Sequence, residues 1–124
     1  MMEVPRSPDK GELFLAAACV CFALTMHPIG FAVAVNGLIC HLTAAFGHPS
    51  RHACFYWDAA VNASFIIFTN CFPKAQPILA IISSFAIVCF FINNRGNKKP
   101  NPTFHFVCVQ LPLFIGLLWF NNNA

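Results

Sequence analysis

The chain has 124 residues, 58% of them hydrophobic and only 9% charged, with a formal net charge of +3 at neutral pH. Soluble domains carry roughly a quarter charged residues, so this composition excludes an ordinary soluble domain and points to a membrane protein. No phosphate loop, nucleophile elbow or nucleic-acid-binding module is present, and no nucleic acid is expected as a partner.

The first ten residues are polar and punctuated by Pro5 and Pro8, an interfacial tail that leads into a helix near Asp9. Acidic Glu3, Asp9 and Glu12 beside Arg6 and Lys10 do not match the basic start of a cleavable signal peptide. From Leu13 to Ser50 there is no Asp, Glu, Lys or Arg, about twice the ~20 residues that one transmembrane helix needs. That stretch must break, and His27-Pro28-Ile29-Gly30 is where it can do so: either Pro28 kinks one long helix, or it opens a second helix at the position where a missing N–H costs nothing. Further on, Gly47 to His52, Phe72 to Pro77 and Asn93 to Pro102 are polar turns. Pro112 is expected to kink the last helix and free a carbonyl near Cys108.

The basic residues arbitrate at Pro28, because Lys and Arg in short loops collect on the cytoplasmic side. A reversal there gives an all-α bundle of five short transmembrane helices in one domain, residues 1–124, with spans of about 9–26, 29–46, 53–72, 76–93 and 102–120. Arg6, Lys10, Arg51, Arg95, Lys98 and Lys99 then share one side, with Lys74 alone on the other. Four spans, with Pro28 only a kink, divide the charges without preference. The five-span reading places the N-terminus on the cytoplasmic side. Phe55-Tyr56-Trp57, Phe90-Phe91 and Trp119-Phe120 fall near the interfaces, where amphipathic rings anchor.

Asp58 is the one acidic residue after Glu12, set in an apolar run, and needs a partner there. Depth counted along the spans places His41, Asp58 and His105 in one rung near the cytoplasmic interface and Asn36, Asn62 and Gln110 about a turn deeper. Asp58 and Asn62 share a helix face; Asn36 and His41 diverge, so that one of the two faces inward. The plain expectation is an intramembrane polar cluster that fixes helix register through hydrogen bonds. Two alternatives use the same groups: His41, Asp58 and His105 as ligands of an open catalytic metal, with His48 or His52 close by, and a proton or ion path. Arg95, Lys98 and Lys99 form a loop suited to anionic lipid or an acidic partner. The seven cysteines, scattered singly, read as reduced packing residues. Asn62-Ala63-Ser64 matches a glycosylation sequon inside a helix, where it is not used.

Two fragments, Asn36-Gly37-Leu38-Ile39-Cys40-His41 and Trp57-Asp58-Ala59-Ala60-Val61-Asn62, resemble the paired helix ends of seven-helix zinc hydrolases related to alkaline ceramidases and adiponectin receptors. Those families add a late His pair where this chain has His105 alone. With Ile29-Gly30-Phe31 and Gln110-Leu111-Pro112, the same fragments are similar to short multi-pass proteins of large icosahedral DNA viruses with an internal membrane, such as chlorella viruses. That resemblance implies a virion membrane component beneath a capsid. The resulting expectation is a non-enzymatic structural subunit of a membrane-associated assembly, with membrane lipids and other subunits as partners and no cofactor.

Overall fold

A computed structural model describes residues 7–96 and 99–124. Among the described residues every element is helical. Helix α1, Lys10–Cys19, tightens into a 3-10 segment, Val20–Thr25; α2 is Pro28–Ala45, α3 Arg51–Asn70, α4 Ile78–Asn94, and α5 Pro102–Asn123. A short 3-10 turn, Pro73–Ala75, links α3 to α4.

The chain reverses at Met26-His27-Pro28. The Thr25 hydroxyl donates to the Phe22 carbonyl at 2.7 Å, Met26 takes a left-handed φ of 54°, and His27 caps α2 by accepting the Ile29 N–H at 3.1 Å. Pro28 sits in the first helical turn, where its ring is pre-set for the helix. The first helix therefore ends in a tight 3-10 turn where regular helix up to residue 26 was expected, since 3-10 bonds satisfy carbonyls that a plain α-helical end leaves open.

The other end of α2 stops for an equally local reason. Gly47, with φ of 63°, lets the His48 N–H reach the Thr43 carbonyl at 2.9 Å and the Gly47 N–H reach Ala44 at 3.2 Å. That is the paired-bond termination a left-handed glycine permits. The Asp9 N–H donates to the Ala45 carbonyl at 2.9 Å, so the start of α1 meets the end of α2 and the two helices are antiparallel. Helix α1 runs parallel to α5: a Cβ on Gly11 would meet Pro102, and the Asn121 amide donates to the Thr25 carbonyl at 3.2 Å. Helix α4 is antiparallel to α5, with Asn93 and Asn101 exchanging bonds of 3.1 and 3.0 Å at the junction.

This up-and-down order gathers Lys10, Arg51, Arg95 and Lys99 at one end, called the basic end below, and leaves Lys74 at the other. Arg6 and Lys98 lie outside the described residues. The apolar core occupies the far half: Phe22, Ile29, Ala75, Leu79, Leu117 and Phe120 pack together, and the Trp119 indole N–H donates to the Ala75 carbonyl at 3.0 Å. Trp119 and Phe120 thus clamp the end of α5 onto the α3–α4 turn. Pro112 is accommodated by a π-helical stretch, Phe106–Gln110, directly before it. A proline clashes with the carbonyl four residues back, here that of Cys108, and the wider π turn absorbs the misfit without breaking the helix.

Two helices, Pro28–Ala45 and Pro102–Asn123, are long and apolar enough to cross a membrane, with mean hydropathies of 1.5 and 1.8; Ile78–Asn94 is apolar but shorter. All seven cysteines are free thiols, three of them buried.

Candidate functional site

The basic half of the bundle is hollow. Helix α3 packs along α2 but only lightly against α4, and Thr69 is the one residue it buries. Between it and α1, α2, α4 and α5 lies a chamber of about 350 Å³. Its walls are apolar, with Phe22, Val33, Ile66, Ala86, Phe90 and Val109 among them. Its polar groups are His41, Asp58, Asn62, His105 and Gln110, five of the six residues that the sequence places in one cluster. Ala63 and Ile67 of α3 and Ile87 and Phe91 of α4 line the chamber and are also exposed on the outside. The chamber's mouth therefore opens sideways between α3 and α4, within the length of both helices.

The sixth residue, Asn36, lies outside this chamber's lining: its side-chain oxygen accepts the Trp57 indole N–H at 3.3 Å, at the seam of α2 and α3. The roughly 140° between positions 36 and 41 on a helix sends His41 inward and Asn36 away.

His41 is not partnered by Asp58. Its Nδ1 lies 2.6 Å from Oε2 of Glu12, an acid the sequence reading left at the head of the first helix. The signal for it was present. Asp9 caps α1 by accepting the Gly11 and Glu12 N–H groups at 2.9 and 3.2 Å, which puts Glu12 in the first turn. Once α1 and α2 are antiparallel with Asp9 bonded to Ala45, Glu12 and His41 stand level. With Nδ1–H donating to the carboxylate, Nε2 of His41 is left to accept from the Gln110 amide, 3.4 Å away. The same amide nitrogen lies 3.4 Å from the Leu15 carbonyl and 3.3 Å from the Cys19 sulfur. Gln110 thus ties α5 to α1 and α2. The His41 and His105 rings meet edge to face with centroids 5.6 Å apart.

Among the described residues Asp58 has a single partner, the Asn62 amide at 3.2 Å, one turn along its own helix. Its Oδ1 and the Oε1 of Gln110 are buried with no hydrogen-bond donor. His41, the neighbour of Asp58 in the chamber lining, hydrogen-bonds Glu12 instead.

Above the chamber, at the basic end, a second cavity of about 140 Å³ is lined by Asp9, Glu12, Arg51, Asn94 and Lys99, and it shares His41, His105, Phe55 and Phe90 with the chamber below. The two imidazoles and two phenyl rings are the partition between a charged vestibule and an apolar room. In the vestibule Lys99 pairs with Asp9, and this hydrogen-bonded ammonium holds the Asp9 carboxyl below its ordinary value. Lys99 remains 71% exposed beside this pairing. Arg95 is exposed, and Lys98 lies outside the described residues.

Among the described residues no three His, Cys, Asp or Glu side chains converge as a metal site. His41, Asp58 and His105 line one chamber without forming such a group. His48 and His52 are on the surface, His48 accepting the Ser50 N–H at 3.1 Å in the turn. Comparison of the chain with known protein families, with curated proteins and with solved structures finds no match.

Proposed function

We propose that this chain is a five-span integral membrane protein with its basic end on the cytoplasmic side, and that its role is structural: a small non-enzymatic subunit completed by neighbours in a membrane-associated assembly. In the viral resemblance set out above, that assembly is a virion with an internal membrane. At 1.5 Å rise per residue, and slightly more in 3-10 turns, the five helices are about 25–33 Å long, the thickness of a hydrocarbon core. Large apolar side chains face outward on every one of them, including Leu24, Val35, Ile67, Ile81, Phe91 and Ile115. Contiguous exposure on this scale does not persist in water.

The observation that carries the structural reading is the bare outer face of α3, a helix that packs along α2 and only lightly against α4. Twenty residues long, it contributes one buried residue to the fold, while Tyr56, Trp57, Ile67 and Phe68 lie 52–70% exposed. An outer face carrying such large side chains is a surface for a neighbour to cover. The polar cluster supports the same reading over chemistry or flux, since its hydrogen bonds tie α1, α2 and α5 together. Toward the far end the lining turns to Ile29, Phe65, Leu79, Leu117 and Phe120, with no ionisable group.

Photo-crosslinking amino acids placed at Ala60 and Phe68, on the outer side of α3, test this in native membranes. Protein adducts of defined mass are expected from both. Adducts to lipid alone from both positions would overturn the subunit reading.

A further inference from the structure

We infer that the chamber is a binding site for a single-chain amphiphile that enters from the bilayer between α3 and α4 and carries a hydrogen-bond-donating head, a long-chain alcohol in chemical class. The inference rests on the membrane reading, because it is the bilayer that brings such a molecule to a sideways mouth.

Three observations carry it. The first is size: an apolar cavity of 150 Å³ accepts benzene, and this one, at about 350 Å³, lies within the range of small-molecule sites. The second is access. The mouth is bordered by the exposed apolar residues Ala63, Ile67, Ile87 and Phe91, within the length of α3 and α4, so it faces acyl chains, while the edge-to-face rings of His41 and His105 stand between the chamber and the charged vestibule. The third is the polarity of what lies within. Two lining residues, Asp58 and the 6%-exposed Gln110, each hold a buried oxygen that lacks a donor. Buried acceptors without partners are costly and uncommon, and a hydroxyl head supplies the missing donor. A carboxylate head supplies none and would stand beside the acidic side chain Asp58. The Gln110 orientation follows from its surroundings, since its amide nitrogen faces the Leu15 carbonyl.

The test uses the full chain in phosphatidylcholine nanodiscs, irradiated with a long-chain alcohol bearing a mid-chain diazirine, with adducts mapped by mass spectrometry. Adducts are expected at Ile66 and Val109 in the chamber and at Leu24 and Ile81 on the outer surface. Unlabelled alcohol should suppress the chamber adducts and leave the outer ones. Ala63→Phe, which fills the mouth, should lower chamber labelling about tenfold, the effect of a modest loss of affinity, whereas Ala80→Phe on the outside of α4 should not. Circular dichroism on both variants confirms that helicity is retained. Outer adducts without chamber adducts would overturn the inference and leave the membrane reading intact; no adducts at either set would overturn the membrane reading and the inference with it. A fatty acid of the same chain length that competes as well as the alcohol would overturn the assignment of a donor head.

Discussion

At the scale of single residues, the site turns on which acid holds His41. The sequence picks out five polar residues that line one chamber, since polar groups in apolar runs stand out, but it pairs them by nearness along the chain. Asp58 follows His41 across one turn and so looks like its partner; Glu12 is 29 residues away and sits beside a polar tail that disguises it. Only the antiparallel register of α1 and α2 brings Glu12 level. A double-mutant cycle separates the two assignments: Glu12→Gln with His41→Ala should show a coupling of about 1 kcal/mol, the usual size for a membrane hydrogen bond. Asp58→Asn with His41→Ala should couple far less. Denaturant titration in mixed micelles gives both values, and the reverse ranking would restore Asp58 as partner. Asp9 offers a pH test. Its folded carboxyl is held below the ordinary value of 3.8 by Lys99, so its contribution to stability is complete above that value and is lost as pH falls through the lowered one. Asparagine caps helices as well as aspartate does. Asp9→Asn should therefore be less stable than the parent at neutral pH, by an amount that vanishes in acid and shrinks in high salt. A difference independent of pH would assign the effect to something other than the ion pair.

At the scale of elements, the positions of the helices were legible because punctuation is local. Proline, glycine and asparagine mark each break, and observed bounds depart from the expected spans by at most three residues. What the sequence did not show were irregularities set by contact between helices. The 3-10 end of α1 is one of them: Gly30 lies so close that a Cβ there would overlap the Phe22 carbonyl oxygen and the Thr25 hydroxyl. The π turn before Pro112 has a different origin, a choice among several ways of relieving one clash within the helix. Gly30→Ala isolates the first. Alanine raises intrinsic helix propensity by about 1 kcal/mol over glycine, so on local grounds the variant should be more stable. The overlap with backbone predicts the opposite sign, a net loss of about 1–3 kcal/mol typical of overpacking, visible as a lower denaturation midpoint. A gain in stability would mean that the α1–α2 hairpin is looser than this geometry.

At the scale of the whole molecule, the question is how many of the five helices share the bilayer. By length and hydropathy alone only α2 and α5 qualify; α1 is interrupted by its 3-10 end, α4 has 17 residues, and α3 carries Asp58, Asn62 and Asn70. The proposal of five spans rests on packing. Helices α2 and α5 are joined through α1 by Gln110 and by the Gly11–Pro102 contact, so α1 goes where they go. Helix α4 presents Ile78, Ile81, Phe85 and Val88, 42–66% exposed, along one outward stripe that water would not tolerate. Cysteines introduced singly at Met26, Lys74 and Arg95, with the native seven replaced, decide the matter through a membrane-impermeant maleimide. Five spans require Met26 and Lys74 on one side and Arg95 on the other. If only α2 and α5 cross, α3 and α4 lie outside the bilayer together, and Lys74 labels with Arg95. If Pro28 merely kinks one long span, Met26 is buried in lipid and does not label from either side. Because the charges at Lys10, Arg51 and Arg95 share an end with this one arrangement of helices, the five-span outcome also predicts which side is which: Arg95 should react only after the cytoplasmic face is opened.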